Sequence, residues 1–213
     1  MQMHRHWLVW IGFACAACGN SSSEQPPPPD GAPDATPDAM PDAPPGTVEF
    51  MGTVVGPAPA QAHVIGFWSV EVGPDHAFKL GDGSATATTF ELFIPKGPVP
   101  DDALNNEAGA KWGVGLPVLV DASEQLPDGP VVKEFPVLGL STQYAILFRT
   151  GADVAADSIF TWVNGFPLDQ LSCGKCVKST TAGTFDRYTP VQCSELVLEA
   201  ATDPTTLDPC DWI

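Results

Sequence analysis

Basic residues are scarce in this sequence. Its 213 residues include 9 Lys and Arg against 26 Asp and Glu, which gives a net charge of −17 with His neutral. An acidic surface repels the phosphates of nucleic acids and of anionic lipid headgroups, so we expect neither as a partner. The charge is compatible with cations or basic partners, although solubility alone explains it most simply.

Catalytic signatures are also lacking. The sequence has no G-x-S-x-G motif, and only His63 and His76 follow the N-terminal segment. Asp101 and Asp102 are adjacent, which does not give the facing carboxylates of a glycosidase. We therefore predict a non-enzymatic protein with no catalytic residues and no cofactor. The alternative is a secreted hydrolase whose site is assembled from residues distant in the sequence.

The apolar run near the N-terminus is short. Residues 7–14 are apolar, follow a basic head at 1–6 and precede a group of small residues. A membrane-spanning helix needs about 20 apolar residues, whereas this order of features is typical of a secretory signal peptide. We predict that residues 1–17 are a signal peptide.

The motif Cys15-Ala16-Ala17-Cys18 resembles the lipobox of bacterial lipoproteins, with Cys15 standing where Leu is usual. The resemblance implies that the Cys18 thiol receives a diacylglycerol and that its amine is acylated after cleavage, with a fatty acid such as palmitate. Two or more acyl chains hold a protein stably on a membrane. Gly19, in place of Asp, implies the outer membrane by the family's sorting rule. The alternative is an ordinary signal peptide with Cys18 a spare thiol.

Residues 18–46 form a Pro-rich tract. It holds four consecutive prolines and three Pro-Asp-Ala units, and it lacks aromatic residues, Lys and Arg. Proline blocks helices and removes hydrogen-bond donors, so we predict an extended, disordered tether of about 3.1 Å per residue. A lipobox followed by Pro-Asp-Ala repeats resembles a class of uncharacterised lipoproteins in myxobacteria. The resemblance implies a location in the cell envelope and nothing about activity.

Residues 47–213 are predicted to form one all-β domain, with 21 acidic and 8 basic residues. Short alternating segments end at Gly, Pro or Asp, which is typical of strands and turns. In the clearest strand Val64 and Trp68 face one way while Ile65 and Phe67 face the other. We predict an antiparallel β-sandwich, immunoglobulin-like in the broad sense, with a barrel as the alternative.

Local motifs in this domain predict turns. Gly81-Asp82-Gly83 has the composition of a tight hairpin turn, and residues 100–104 could open one helical turn. Acidic and hydroxyl side chains in these turns could hold Ca²⁺, but turn chemistry explains them more simply, and we predict no metal. Those residues are Asp82, Asp121, Ser123, Glu124 and Asp128.

Four cysteines lie near the C-terminus: Cys173, Cys176, Cys193 and Cys210. In an oxidising compartment they predict two disulfides, for which three connectivities exist. We favour those that join Cys173 and Cys176 separately to Cys193 and Cys210, each bridge stabilising the fold by about 2–4 kcal/mol. They would pin residues 207–213, including Trp212, onto the domain.

Two other interpretations of these cysteines stay open. Cys173-Gly174-Lys175-Cys176 resembles the C-x-x-C motif of thioredoxin-like redox proteins, where the pair opens a helix after a strand. Four cysteines could also hold Zn²⁺, although such sites usually have a close pair on both sides.

These observations favour a cell-envelope lipoprotein carrying a binding or structural module with a protein or carbohydrate ligand. A flat exposed aromatic strip would favour binding, and acidic residues around His63 or His76 in a deep pocket would favour a hydrolase. We expect Trp68, Trp112, Trp162 and Trp212 in the core rather than on a sugar-binding platform.

Overall fold

The computed structural model describes residues 44–69, 77–131, 135–181 and 184–210. The predicted signal peptide, Cys18 and nearly all of the tether lie outside the described residues, as do His76 and Trp212. Within the described part, no helix is both long and apolar enough to cross a membrane.

The described fold is built almost entirely from strands, so the predicted all-β class is confirmed. Four short 3₁₀ segments, Asp101–Ala103, Thr161–Gly165, Cys193–Glu195 and Pro204–Thr206, are the helical elements of the described residues. The twelve strands described are β1 Thr47–Val55, β2 Ala62–Ser69, β3 Ala77–Ala85, β4 Thr89–Pro95, β5 Asn105–Glu107, β6 Ala110–Val120, β7 Gly129–Pro130, β8 Val137–Leu140, β9 Tyr144–Gly151, β10 Ser172–Val177, β11 Arg187–Val191 and β12 Val197–Ala200.

Seven of the strands close into a barrel. Their order is β6-β2-β3-β4-β1-β12-β8, and the ring closes because β8 pairs again with β6. All of these pairs are antiparallel except β1 with β12. The predicted immunoglobulin-like sandwich is therefore replaced by its alternative, a barrel, to which further strands are added.

Strand β6 belongs to both parts of the sheet. It is 11 residues long; Ala110 to Gly115 pair with β9, and Val118 to Val120 pair with β8. Outside the ring, β9 pairs with β10, and β10 pairs with β11. Pro117 lies at the branch and its carbonyl accepts from Ser141 N at 3.0 Å. Its missing N–H points to the gap between β8 and β9, where it interrupts neither ladder.

A β-bulge in β3 replaces the predicted hairpin turn at Gly81-Asp82-Gly83. Ile65 of β2 lies opposite Asp82, but Phe67 lies opposite Lys79, so β3 has one extra residue here. Gly81 has a φ of +93°, a conformation in which glycine is favoured. Bulges increase local bend and twist, which helps a sheet to close into a barrel.

The barrel interior is packed around Trp68. The expected alternation of β2 is confirmed, because Val64 and Trp68 lie in this interior core while Ile65 and Phe67 lie in a cluster on the outside. At Gly115 of β6 a Cβ would sit 2.6 Å from the Trp68 ring, so only glycine fits there.

The chain covers two outer faces of the sheet with its own loops. Residues 152–169 cover β6 and β9 through Val154, Phe160, Val163 and Phe166. Leu126 and Phe135 cover β2, β6 and β8. A third outer face, formed by β3, β4 and β1, has exposed or half-buried side chains and no described segment lying over it.

Candidate binding face

The uncovered face is centred on Phe93 of β4. Phe93 lies opposite Asp82 of β3 and Glu49 of β1, and two residues earlier Glu91 lies opposite Ser84 and Met51. Directly opposed residues of antiparallel strands place their side chains side by side on one face. We call the resulting patch the Phe93 face; it consists of Glu49, Met51, Asp82, Ser84, Glu91 and Phe93.

A groove open to solvent runs along this face, with a volume of about 400 Å³. Phe93, Pro44 and Pro95 give it apolar walls, while Asp82, Glu91 and Asp128 contribute carboxylates. Among the described residues that line the groove there is no Lys or Arg. The groove therefore combines apolar surface with negative charge.

Lys79 lies beneath one end of the groove. Its side chain is 1% exposed, and its ammonium forms ion pairs with Asp82 and, at 2.8 Å, with Asp128. The carboxylates themselves remain 61% and 42% exposed. One buried cation is thus shared by two carboxylates that still reach solvent, which leaves the groove with net negative charge.

The same contacts hold the loop before β7 against β3. Asp128 accepts a second hydrogen bond, from Gly81 N at 3.1 Å, at the bulge where that N–H is free of the β-ladder. Gly129 lies opposite Lys79 in the short pairing of β7 with β3. The sequence does not indicate that Lys79 is buried, because its burial depends on contact with Asp128, which is distant in the chain.

Four of the five residues weighed as Ca²⁺ ligands form two separate pairs. Asp82 and Asp128 come together, but the Lys79 ammonium lies between them. Asp121 instead accepts hydrogen bonds from Ser123 Oγ at 2.6 Å and from Ser123 N at 2.9 Å. These bonds lower the pKa of the Asp121 carboxyl, and the bond from Ser123 Oγ has the larger effect. Nearby His63 lowers the same pKa to a smaller extent. This is the turn chemistry expected of such a loop.

His63 lines a second open depression, of about 510 Å³, together with Asp82, Gln125, Leu126 and Pro127. Ser123 donates its hydroxyl hydrogen to Asp121 rather than to His63, so these side chains lack the order of a catalytic triad. Asp101, one of the two adjacent carboxylates weighed for a glycosidase, pairs with Lys111 at 2.7 Å.

Two disulfides are present, as expected from the four cysteines. Cys173 is bonded to Cys193, and Cys176 is bonded to Cys210. Cys173 and Cys176 both belong to β10, which the sequence analysis did not identify as a strand. Residues three apart in a strand point to opposite faces, and accordingly Cys173 lies in the interior core while Cys176 packs on the outer cluster.

This placement bears on both alternative uses of the cysteines. A thiol-redox protein needs a local bridge between Cys173 and Cys176, and each of them is bonded elsewhere. Cys176, Cys210 and Asp186 lie within 4.8 Å of one another. Because their two sulfurs form a disulfide, they are not thiolates that could ligate zinc.

The tryptophans that the structure describes belong mainly to the core. Trp68 and Trp112 are buried and Trp162 is half-buried. Trp162 contacts Trp112 and Tyr188 edge-on, with ring centroids 5.6 Å and 5.9 Å apart. Phe93 is an aromatic side chain on the uncovered face. The alternation in residues 90–95, where Glu91 and Phe93 lie between buried neighbours, is the sequence pattern that could have indicated its outward position.

No family model matches this chain, no curated protein matches its sequence, and no solved structure matches its fold.

Proposed function

We propose that this chain is a cell-envelope lipoprotein whose domain, residues 47–213, is a non-enzymatic binding module that uses the Phe93 face. The observation that carries the proposal is that no described segment covers this face, whereas two other outer faces are covered by the chain's own segments. Met51 on the open face is 51% exposed. An exposed apolar patch rimmed by polar residues is typical of an interaction site.

The proposed location has support from the cysteines. Disulfides persist in oxidising compartments such as the periplasm and the cell surface, and this domain contains two. Together with the signal-like segment and the lipobox-like motif, they support export followed by acylation of Cys18. The tether would then present the domain away from the membrane, proposed to be the outer one.

Metabolic labelling tests the anchor. Cells producing the full chain are fed an alkyne-tagged palmitate, and the Cys18→Ser variant serves as the control. We expect the wild-type protein to carry the label and to be found in the membrane fraction, and we expect the variant to show neither. Wild-type protein without label, or an unprocessed precursor that does not accumulate under globomycin, would contradict the lipoprotein assignment.

Site-specific photo-crosslinking tests the face. A crosslinking amino acid is placed at Met51 of the full chain in intact cells, and at Ile159, which is 62% exposed outside the Phe93 face, as the matched control. We expect discrete adducts from position 51 that disappear when Phe93→Thr is added. Adducts from both positions, or none from position 51, would contradict a binding role for this face.

A further inference from the structure

We infer that the Phe93 face binds an extended cationic polypeptide segment in which Lys or Arg side chains alternate with apolar ones along one face, that is, at every second residue. The inference rests on the proposed binding function and names the chemistry of its partner. It follows from the charge of the groove, from the repeat of its side chains, and from the charge of the tether.

The charge of the groove points to a cation. Asp82, Glu91 and Asp128 line it, and Glu49 adjoins Phe93 across the β1–β4 pair. Lys79 lies below this surface and is already shared between two of the carboxylates. A concave surface lined by one sign of charge beside apolar walls concentrates ligands of the opposite sign.

The repeat of the side chains points to an extended segment. In one cross-strand row Phe93 stands between two carboxylates, and in the next row Glu91 stands between Met51 and Ser84. Successive outward residues of a strand are about 7 Å apart, since each residue rises ~3.3 Å. The face that an extended partner turns to the groove has the same repeat, so cationic and apolar side chains at every second residue of the partner, as in Lys-x-Leu-x, can meet carboxylates and Phe93 in turn.

The tether that precedes the domain has the wrong charge for this groove. The groove ends at Pro44, where Thr47 Oγ1 donates to the Pro44 carbonyl at 2.7 Å. The preceding tether, residues 18–43, contains five acidic residues and no Lys or Arg. A second copy in a two-fold contact would place the same carboxylates opposite one another. Like charges oppose both occupants, which leaves a basic partner.

Peptide binding tests the inference. The mature lipoprotein is held in phosphatidylcholine nanodiscs, and empty nanodiscs provide the blank. The probes are the acetylated, amidated octapeptides (Lys-Ser-Leu-Ser)₂, (Glu-Ser-Leu-Ser)₂ and (Lys-Ser-Ser-Ser)₂, measured by surface plasmon resonance. We expect (Lys-Ser-Leu-Ser)₂ to bind most tightly, (Lys-Ser-Ser-Ser)₂ to bind more weakly and (Glu-Ser-Leu-Ser)₂ not to bind. Binding should weaken as salt rises, because exposed charges are screened over ~8 Å at physiological ionic strength.

Charge-neutralising variants provide the matched control. The Glu49→Gln/Glu91→Gln double variant should weaken (Lys-Ser-Leu-Ser)₂ binding by about tenfold, within the range for two exposed ion pairs. The Asp157→Asn/Glu195→Gln variant makes the same change of charge at exposed positions outside the Phe93 face and should leave binding unchanged. Unchanged melting temperatures in both variants show that folding is intact.

The other outcomes overturn the inference in distinguishable ways. Equal binding of (Lys-Ser-Leu-Ser)₂ and (Glu-Ser-Leu-Ser)₂ that Phe93→Thr abolishes would keep the binding face and reject the cationic partner. Binding of a soluble peptidoglycan glycan instead of the peptides would assign a carbohydrate ligand. Absence of any probe binding would also reject the cationic partner, and Phe93-dependent crosslinking from Met51 would then decide whether the binding function stands.

Discussion

Lys79 and Asp82 are three residues apart in one strand, yet their side chains form an ion pair on the same face of the sheet. In a regular strand, residues three apart point to opposite faces. The bulge at Gly81 adds one residue between them and restores the same orientation. The bulge thus places a buried ammonium and an exposed carboxylate together at the edge of the groove.

Removing the Lys79 charge should destabilise the domain. In Lys79→Met the side chain keeps its length but no longer pairs with Asp82 and Asp128. Since both carboxylates reach solvent, we expect a loss of about 1–3 kcal/mol, below the range for a stranded buried charge. Urea unfolding measures it. Asp101→Asn, which breaks an exposed pair with Lys111, is the control and should cost under about 1 kcal/mol. Equal stability of the two variants would show that Lys79 does not hold the loop to β3.

Gly81 should not tolerate a side chain. Its φ is +93°, and a Cβ there would lie 2.6 Å from the Phe93 carbonyl oxygen. We expect Gly81→Ala to destabilise by roughly 1–3 kcal/mol, from backbone strain and the clash. At Gly97 a Cβ would have no other atom within 4 Å, so Gly97→Ala is the matched control. A Gly81→Ala protein with the thermal midpoint of Gly97→Ala would rule out the bulge geometry.

The two disulfides should contribute unequally. The cysteines of the inner bridge, Cys173–Cys193, are 20 residues apart, and those of the outer bridge, Cys176–Cys210, are 34 apart. Chain-entropy arguments give about 3 kcal/mol for the first and about 4 kcal/mol for the second. Guanidinium unfolding of C173S/C193S and C176S/C210S tests the order. The intact protein should gain about four hydrogens in mass on reduction; free thiols before reduction would contradict both bridges.

Tyr188 should resist ionisation while the protein is folded. Burial, and to a lesser extent the Asp186 charge, raise the pKa of its phenol well above its ordinary value of 10.0. The neutral phenol therefore contributes stability that is present below pH ~10 and is lost as pH rises above it, where the unfolded chain ionises first. Absorbance at 295 nm should show Tyr188 titrating only with unfolding. Tyr188→Phe should remove that late step; an unchanged titration curve would contradict the assignment of the step to Tyr188.

The parts of the fold that depend on local pattern could be predicted from the sequence. The alternation of Val64 and Trp68 with Ile65 and Phe67 is visible in the sequence and matches the two sides of β2. Barrel closure is not visible in this way, because it depends on β8 returning to β6 across the chain. Gly81-Asp82-Gly83 has glycines that suit either a turn or a bulge, and only the pairing with β2 distinguishes them.

The candidate site was harder to predict than the fold. Glu91 and Phe93 alternate with buried residues, which indicates an outward face. Whether such a face is open depends on where distant loops lie, and the loops containing Leu126 and Phe160 cover other faces instead. The sequence around Cys173 and Cys176 does not show the alternation of a strand. The opposite directions of the two side chains therefore become visible only once both are placed in β10.

The crossed order of the two bridges has a consequence for resistance to proteolysis. Cys173 and Cys176 both precede the connection between β10 and β11, and their partners both follow β11. A protease that cuts the backbone once within that connection leaves two fragments joined by two covalent links, so neither can drift away. The C-terminal end would stay attached to the domain after damage that would release an unbridged tail.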